Sequence, residues 1–266
     1  MEARLDVNNG IDAAEFAEFV AVAAEFARAV PGAAALDLDV KTPDTLERCW
    51  HELCAIGLDR CLLGEDEGGI GMPDTALAPL VEAIAAGDGG LALLMLQSNI
   101  ALSSLASERA AAIAETARWA FVPGAGGAAP CAELPEFHHG RVSGSVRFAL
   151  GAENADGMVL VCRYGDAKVL VAVERDAEAK VERSLDDQLG LRSAPTAALT
   201  MSDTPAVLID GPDAAERAEA LLNAGVAAIA RGVAARAGEL ALEYAENRYQ
   251  GGGRPVVAVD REDDRP

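Results

Sequence analysis

The chain has 266 residues, 51% of them hydrophobic, and carries 43 acidic against 22 basic side chains, for a formal charge of −21. That length buries a sizeable core in one large or two to three small domains, and the acidic excess repels phosphate backbones, which excludes nucleic acid as a natural partner. No unbroken apolar run approaches the roughly 20 residues of a bilayer span, and the opening Met1-Glu2-Ala3-Arg4-Leu5-Asp6 lacks the basic-then-apolar layout of an export signal. The expectation is therefore a cytoplasmic chain with no membrane partner.

In chain order, Phe16, Phe19, Val20, Ala23, Phe26, Ala27 and Val30 recur at helical spacing and predict a helix over 12–30, closed by Pro31-Gly32. Thr42-Pro43-Asp44 starts a second helix, with Leu46, Cys49, Trp50, Leu53 and Cys54 as its apolar stripe. The loop Gly64 to Gly71 carries three acidic residues without the alternating oxygen ligands of an EF-hand, so it reads as a solvated turn. Helices over 75–86, 91–105 and 107–116 complete an all-helical stretch, with Gly87-Asp88-Gly89-Gly90 expected to separate the first two.

From Ala117 glycine, proline and β-branched residues replace the alanine-rich runs, and strands are predicted over 118–122, 141–148, 157–163, 168–174, 180–184, 197–202 and 206–209. Such short, closely spaced strands suggest a small β-barrel or sandwich. A helix follows over 212–248, and the tail from Val259 is charged. The resulting fold class is α+β in three domains: helical (1–116), β (117–210) and a partial helical segment with its tail (211–266).

The five cysteines (Cys49, Cys54, Cys61, Cys131, Cys162) are odd in number, which argues for reduced thiols. Cys49 and Cys54 lie near His51, but no CxxC pair is present and His138 and His139 are distant, so no metal site is assigned. The glycines of Gly124 to Gly127 are followed by Ala128-Ala129-Pro130 rather than a helix start, which weakens a dinucleotide-fingerprint reading.

Several phrases share one order with a known family. Trp50, Gly57-Leu58, Gly64 to Gly71, Val81-Glu82-Ala83, Gly144, Asn154-Ala155-Asp156, Gly190-Leu191-Arg192-Ser193 and Tyr244-Ala245 with Arg248, Gln250, Gly251 and Gly252 resemble the acyl-CoA dehydrogenases in register. The resemblance implies an FAD-dependent oxidoreductase that removes the α-proton of an acyl-CoA thioester and passes the β-hydride to flavin N5.

It also implies where the flavin would sit. Trp119 to Gly127 aligns with the family's "VTEPGAGS" loop, giving Ala120, Phe121, Gly126 and Gly127 as cofactor-binding positions, with Phe121 in place of a Thr and Gly127 in place of a Ser. Phe148-Ala149-Leu150 aligns with "WIT", giving Phe148 and Leu150, with the ring kept and the hydroxyl lost. Arg248 and Gln250 match a position that reaches the cofactor pyrophosphate of a neighbouring subunit.

No catalytic residue is assigned. The resemblance implies that the usual Glu lies in a later bundle that this chain does not reach, while the alternative position falls on Leu222 or Asn223. Glu219, one turn earlier, is the nearest carboxylate. The same comparison expects a partner chain over Val226, Ile229, Val233 and Leu240, either a full-length relative that supplies the base or a further copy. Family members with unequal subunits accept bulky substrates such as steroid side-chain CoA esters, so lipid or steroid catabolism is the expected setting. The rival expectation is a scaffold subunit that keeps the fold without flavin or turnover.

Overall fold

In the computed structural model the described residues are 12–39, 43–105, 117–123, 134–174, 180–183 and 188–248. The helix expected over 107–116 lies outside them. Helix α1 (Ala13–Ala29) begins where the Asp12 carboxylate accepts from the backbone N–H groups of Ala14 and Glu15 at 2.8 Å, the arrangement that satisfies otherwise orphaned helix-start donors. It buries Ala23, Phe26 and Ala27. A short α2 (Ala35–Asp39), which the sequence pattern did not signal, leads to α3 (Pro43–Ala55). Helix α4 (Asp74–Ala85) follows a turn region in which Gly68 and Gly71 take φ of 82° and 75°, backbone that favours glycine.

Helix α5 (Gly89–Leu105) is the hub. Its residues from Gly90 to Leu102 are all buried, as expected of a helix that is apolar all round. Gly89 and Gly90 were expected to be part of a linker, yet they form its first turn. The Asp88 carboxylate accepts from the Leu91 N–H at 2.6 Å and so stands in for the missing start signal. Gly90 is also required by packing, because a Cβ there would stand 2.0 Å from the Ser193 hydroxyl oxygen.

Among the described residues eight strands form one mixed sheet: β1 (Trp119–Val122), β2 (Glu136–His138), β3 (Arg141–Leu150), β4 (Gly157–Tyr164), β5 (Ala167–Glu174), β6 (Lys180–Arg183), β7 (Thr196–Pro205) and β8 (Val207–Asp210). The order is β6-β7-β3-β2-β4-β5-β8, with β1 pairing β4 in parallel through Trp119↔Gly157 to Val122↔Leu160. Among the described residues the barrel-or-sandwich expectation resolves into a single mixed sheet. One face encloses a core of Val142, Val146, Ala149, Met158, Leu160, Val171 and Leu199 among others. The opposite faces of β1, β4 and β5 present Phe121, Val159, Val161, Leu170 and Ala172 to the helical core. That double burial explains the near-continuous apolar texture of β4 and β5.

Helix α6 (Pro212–Asn247) starts with Pro at its first position and runs 36 residues, about 54 Å at 1.5 Å per residue. Ala215, Ala218, Gly225, Ala228, Ile229 and Gly232 face inward. A Cβ on Gly225 would stand 2.3 Å from a Leu96 methyl, and one on Gly232 2.3 Å from the Glu82 carbonyl oxygen, so these glycines set how closely α6 approaches α5 and α4. By length and composition α6 is able to cross a membrane, although the sequence has no uninterrupted apolar run. Its inward residues are instead used against α4, α5 and β5.

Candidate functional site

The β1 and β3 strands carry the positions that the resemblance singles out, and α5 ties them together. Gln97 is 2% exposed. Its side-chain amide donates to the Leu150 carbonyl at 2.8 Å and to the Phe121 carbonyl at 3.3 Å. One buried side chain therefore pins the end of β3 beside β1. Its own carbonyl oxygen, Oε1, is buried with no donor among the described residues. The next residue, Gly151, has φ of 70° and leaves no room for a side chain, since a Cβ would stand 2.6 Å from Gln97 Oε1 and 2.8 Å from a Leu94 methyl.

Strand alternation sorts the side chains. Ala120 points into the sheet core and Phe121 into the helical core, at 2% and 0% exposure, so each offers a ligand backbone groups and not a side chain. Phe148 and Leu150 lie two apart on β3 and are 49% and 36% exposed, forming a small apolar face beside the pinned carbonyls. Gly126, Gly127 and Gln250 lie outside the described residues.

Arg248 follows the end of α6, its guanidinium 5.4 Å from the centroid of the Tyr244 ring, a cation–π contact. It lies 16 residues past Gly232, the last buried position of the helix, which is about 24 Å along the axis. Among the described residues no contact brings it to β1 or β3.

Glu219 accepts from the Lys168 ammonium of β5 at 2.7 Å. The pair joins α6 to the sheet. Leu222 is partly buried and Asn223 exposed. Val226, Val233, Leu240 and Tyr244 are 45%, 43%, 48% and 61% exposed. Ile229, expected to share that free surface, is 5% exposed and packs in its own chain's helical core. The reason is its register beside Gly225 and Gly232, on the inward line.

The Asn154-Ala155-Asp156 turn is structural. Asp156 accepts from the Arg118 N–H through its carboxylate at 2.9 Å and donates its own N–H to the Arg118 carbonyl at 2.7 Å, so it registers the start of β1 on β4. The Gly190 to Ser193 turn docks on the start of α5: the Ser193 hydroxyl donates to the Asp88 carboxylate, and Leu191 takes φ of 52°. Gln188 braces the turn by donating to the carbonyls of Gly190 and Leu191 at 2.8 and 2.9 Å.

Among the described residues the thiols show no activation. Burial pushes Cys54, Cys61 and Cys162 up to about 12, which leaves them protonated at neutral pH and poor nucleophiles. Among the described residues no three His, Cys, Asp or Glu side chains are grouped to hold a metal ion.

Sequence reasoning missed Gln97. A signal was available: Gln97-Ser98-Asn99 interrupts an otherwise apolar helix, and buried polar groups persist where they are bonded. Asn99 bears the same reading, donating to the Leu58 and Met95 carbonyls at 2.7 and 3.0 Å and accepting from the Leu62 N–H at 3.2 Å.

Residues 13–112 match the family model of the acyl-CoA dehydrogenase N-terminal domain. Among solved structures, a variant of the Tcur3481–Tcur3483 steroid ACAD superposes with TM-score 0.76 at 20% identity, over 91% of this chain and 69% of that one. Butyryl-CoA dehydrogenase from Megasphaera elsdenii gives 0.72 at 19% over 96% and 73%. An acyl-CoA dehydrogenase complexed with FAD from Bacillus anthracis gives 0.74 at 17% over 91% and 47%. No curated protein matches by sequence. The chain thus matches that family model over residues 13–112 and has the acyl-CoA dehydrogenase fold across its helical, sheet and C-terminal helix regions.

Proposed function

From that fold, we propose that this chain is a subunit of an FAD-linked acyl-CoA dehydrogenase, acting on an acyl-CoA thioester as one member of a hetero-oligomer whose partner supplies the base. The observation that carries the reading is the Gln97 clamp, which holds together the β1 and β3 ends that match the family's flavin-facing phrases.

The residues present fit a flavin in part. The half-exposed Phe148 ring offers a stacking surface beside Leu150, while Phe121 is buried and supplies no hydroxyl. Loss of two or three hydrogen bonds at about 1 kcal/mol each weakens binding by about one to two orders of magnitude without abolishing it. When bound, the flavin supplies hydride acceptance. Of the chain's own residues, Phe148 and Leu150 would hold its ring, Gln97 would fix the adjacent backbone, and Arg248 would serve a neighbouring subunit's cofactor.

The exposed Val226, Val233, Leu240 and Tyr244 stripe is the surface for that partner, since an apolar stripe of this length is normally covered. The engagement of Glu219 by Lys168 favours a base from outside this chain. A cytoplasmic setting follows the same reading, and the steroid ACAD similarity makes bulky acyl-CoA esters the first substrates to try.

A scaffold subunit without turnover is the second reading, favoured by the inward Phe121 side chain. Native mass spectrometry of the complex from its own cells separates the two. A longer relative with FAD, and bleaching of the flavin on acyl-CoA addition, is the expected result. A flavin-free assembly, or this chain alone, overturns the enzyme reading in favour of the scaffold.

A further inference from the structure

The geometry points to Gln97 as a positioning residue that sets the flavin affinity of this chain by fixing the backbone at Phe121 and Leu150. The inference rests on the flavin reading above and deepens it. Both hydrogens of the Gln97 amide are committed, one to the Leu150 carbonyl at 2.8 Å and one to the Phe121 carbonyl at 3.3 Å. Two carbonyls as acceptors also fix which way the amide faces, because the reverse orientation would set oxygen against oxygen.

The clamp reaches across the chain. Phe121 and Leu150 lie on strands that are not paired with each other in the ladders of β1 and β4 or of β3 and β7. Sheet hydrogen bonds join them only indirectly, through β4 and β2, so the Gln97 bonds add a direct tie between the two ends. An apolar residue at 97 would complete an already apolar helix at lower polar cost. The chain instead keeps Gln97 with Oε1 buried and unpaired among the described residues, and an unmet buried acceptor is costly.

The consequence is directional. The Leu150 carbonyl is turned toward α5 while the Phe148 and Leu150 side chains stay at the surface. Releasing the clamp leaves the end of β3 held, among the described residues, only by β7, through Ala149↔Ala197 and Leu150↔Thr196, free to shift away from β1 and to disturb the surface on which a planar ring would rest, while α5 retains its apolar packing.

The test is FAD titration, followed by flavin absorbance and fluorescence, of the full chain in whatever assembly it is purified. Gln97→Leu is compared with Leu80→Ala on α4, a buried core change away from the strand ends chosen for a comparable loss of stability. We expect Gln97→Leu to bind FAD at least about tenfold more weakly, with Leu80→Ala within about threefold of the parent.

Gln97→Glu gives a second readout that a loss of packing would not. Burial raises the pKa of such a carboxyl, and only its protonated form donates to a carbonyl. Its FAD affinity, relative to the parent at each pH, should fall as pH rises from about 5 to 8. Parent-like FAD binding by Gln97→Leu overturns the inference, as does equal weakening by Leu80→Ala or a flat relative pH profile for Gln97→Glu. If Gln97→Leu does not fold, the Glu profile decides. A parent that binds no FAD overturns the flavin reading itself, and this inference with it.

Discussion

Helices α5 and α6 are both rich in apolar residues, yet they spend them in opposite ways. In α5 every residue from Gly90 to Leu102 is buried, the polar Gln97, Ser98 and Asn99 included. In α6 a thin inward line of Ala, Gly and Ile is buried, while Val226, Val233 and Leu240 remain outside. Hydrophobic content therefore does not report burial. What distinguishes the helices is where small and polar residues fall: glycines mark the packed line of α6, and bonded amides mark the depth of α5.

The comparison is tested by matched changes. Leu96→Ala, at a side chain 0% exposed that packs over Gly225, should cost about 2–5 kcal/mol in a denaturant midpoint experiment. A cost near zero would mean that α5 is not the hub. Asn99→Ala strands the Leu58 carbonyl and the Leu62 N–H and should cost about 3 kcal/mol, with faster amide exchange at residues 58–62. Gly232→Val drives a side chain at the Glu82 carbonyl and should cost about 1–3 kcal/mol. An unchanged melting temperature would show that α6 stands farther from α4.

Asp59 supplies a pH-dependent version of the same contrast between depth and surface. Burial raises its pKa above the ordinary 3.8, and the neighbouring Arg60 guanidinium only partly opposes this. The folded state then holds the proton more tightly than the unfolded one. This contribution to stability is full below the unfolded value and is lost as pH rises through the raised folded value. Asp59→Asn should flatten that acid segment of the melting-temperature curve, and an unaltered slope would remove Asp59 as its source.

The smallest effect belongs to the free stripe. Leu240→Ala should change the stability of the isolated chain by no more than about 0.5 kcal/mol while weakening recovery of the partner in a native complex. A cost matching that of Leu96→Ala in the isolated chain would mean that copies of this chain already cover the stripe.

The larger elements were legible because period and punctuation agree in them: α1 with its Phe and Val spacing, β4 and β5 with their unbroken apolar runs, and α6 with Pro212 at its start. What escaped notice depended on tertiary partners. Strand β2 is three residues long and exists through its ladder to β3, which no local pattern announces. Gly89 and Gly90 read as breakers, but Asp88 and Ser193 turn them into a helix start. At the site, the family phrases located Phe121 and Phe148 but not their directions. Burial differs between them because β1 is covered on both faces and this end of β3 on one.

The Asp88 carboxylate accepts both the Leu91 N–H and the Ser193 hydroxyl. The first turn of α5 and the turn after β6 consequently share a single anchor, one in the helical part of the chain and the other in the sheet. Neither can open alone without leaving a donor unmet, so the two form one cooperative unit for local unfolding.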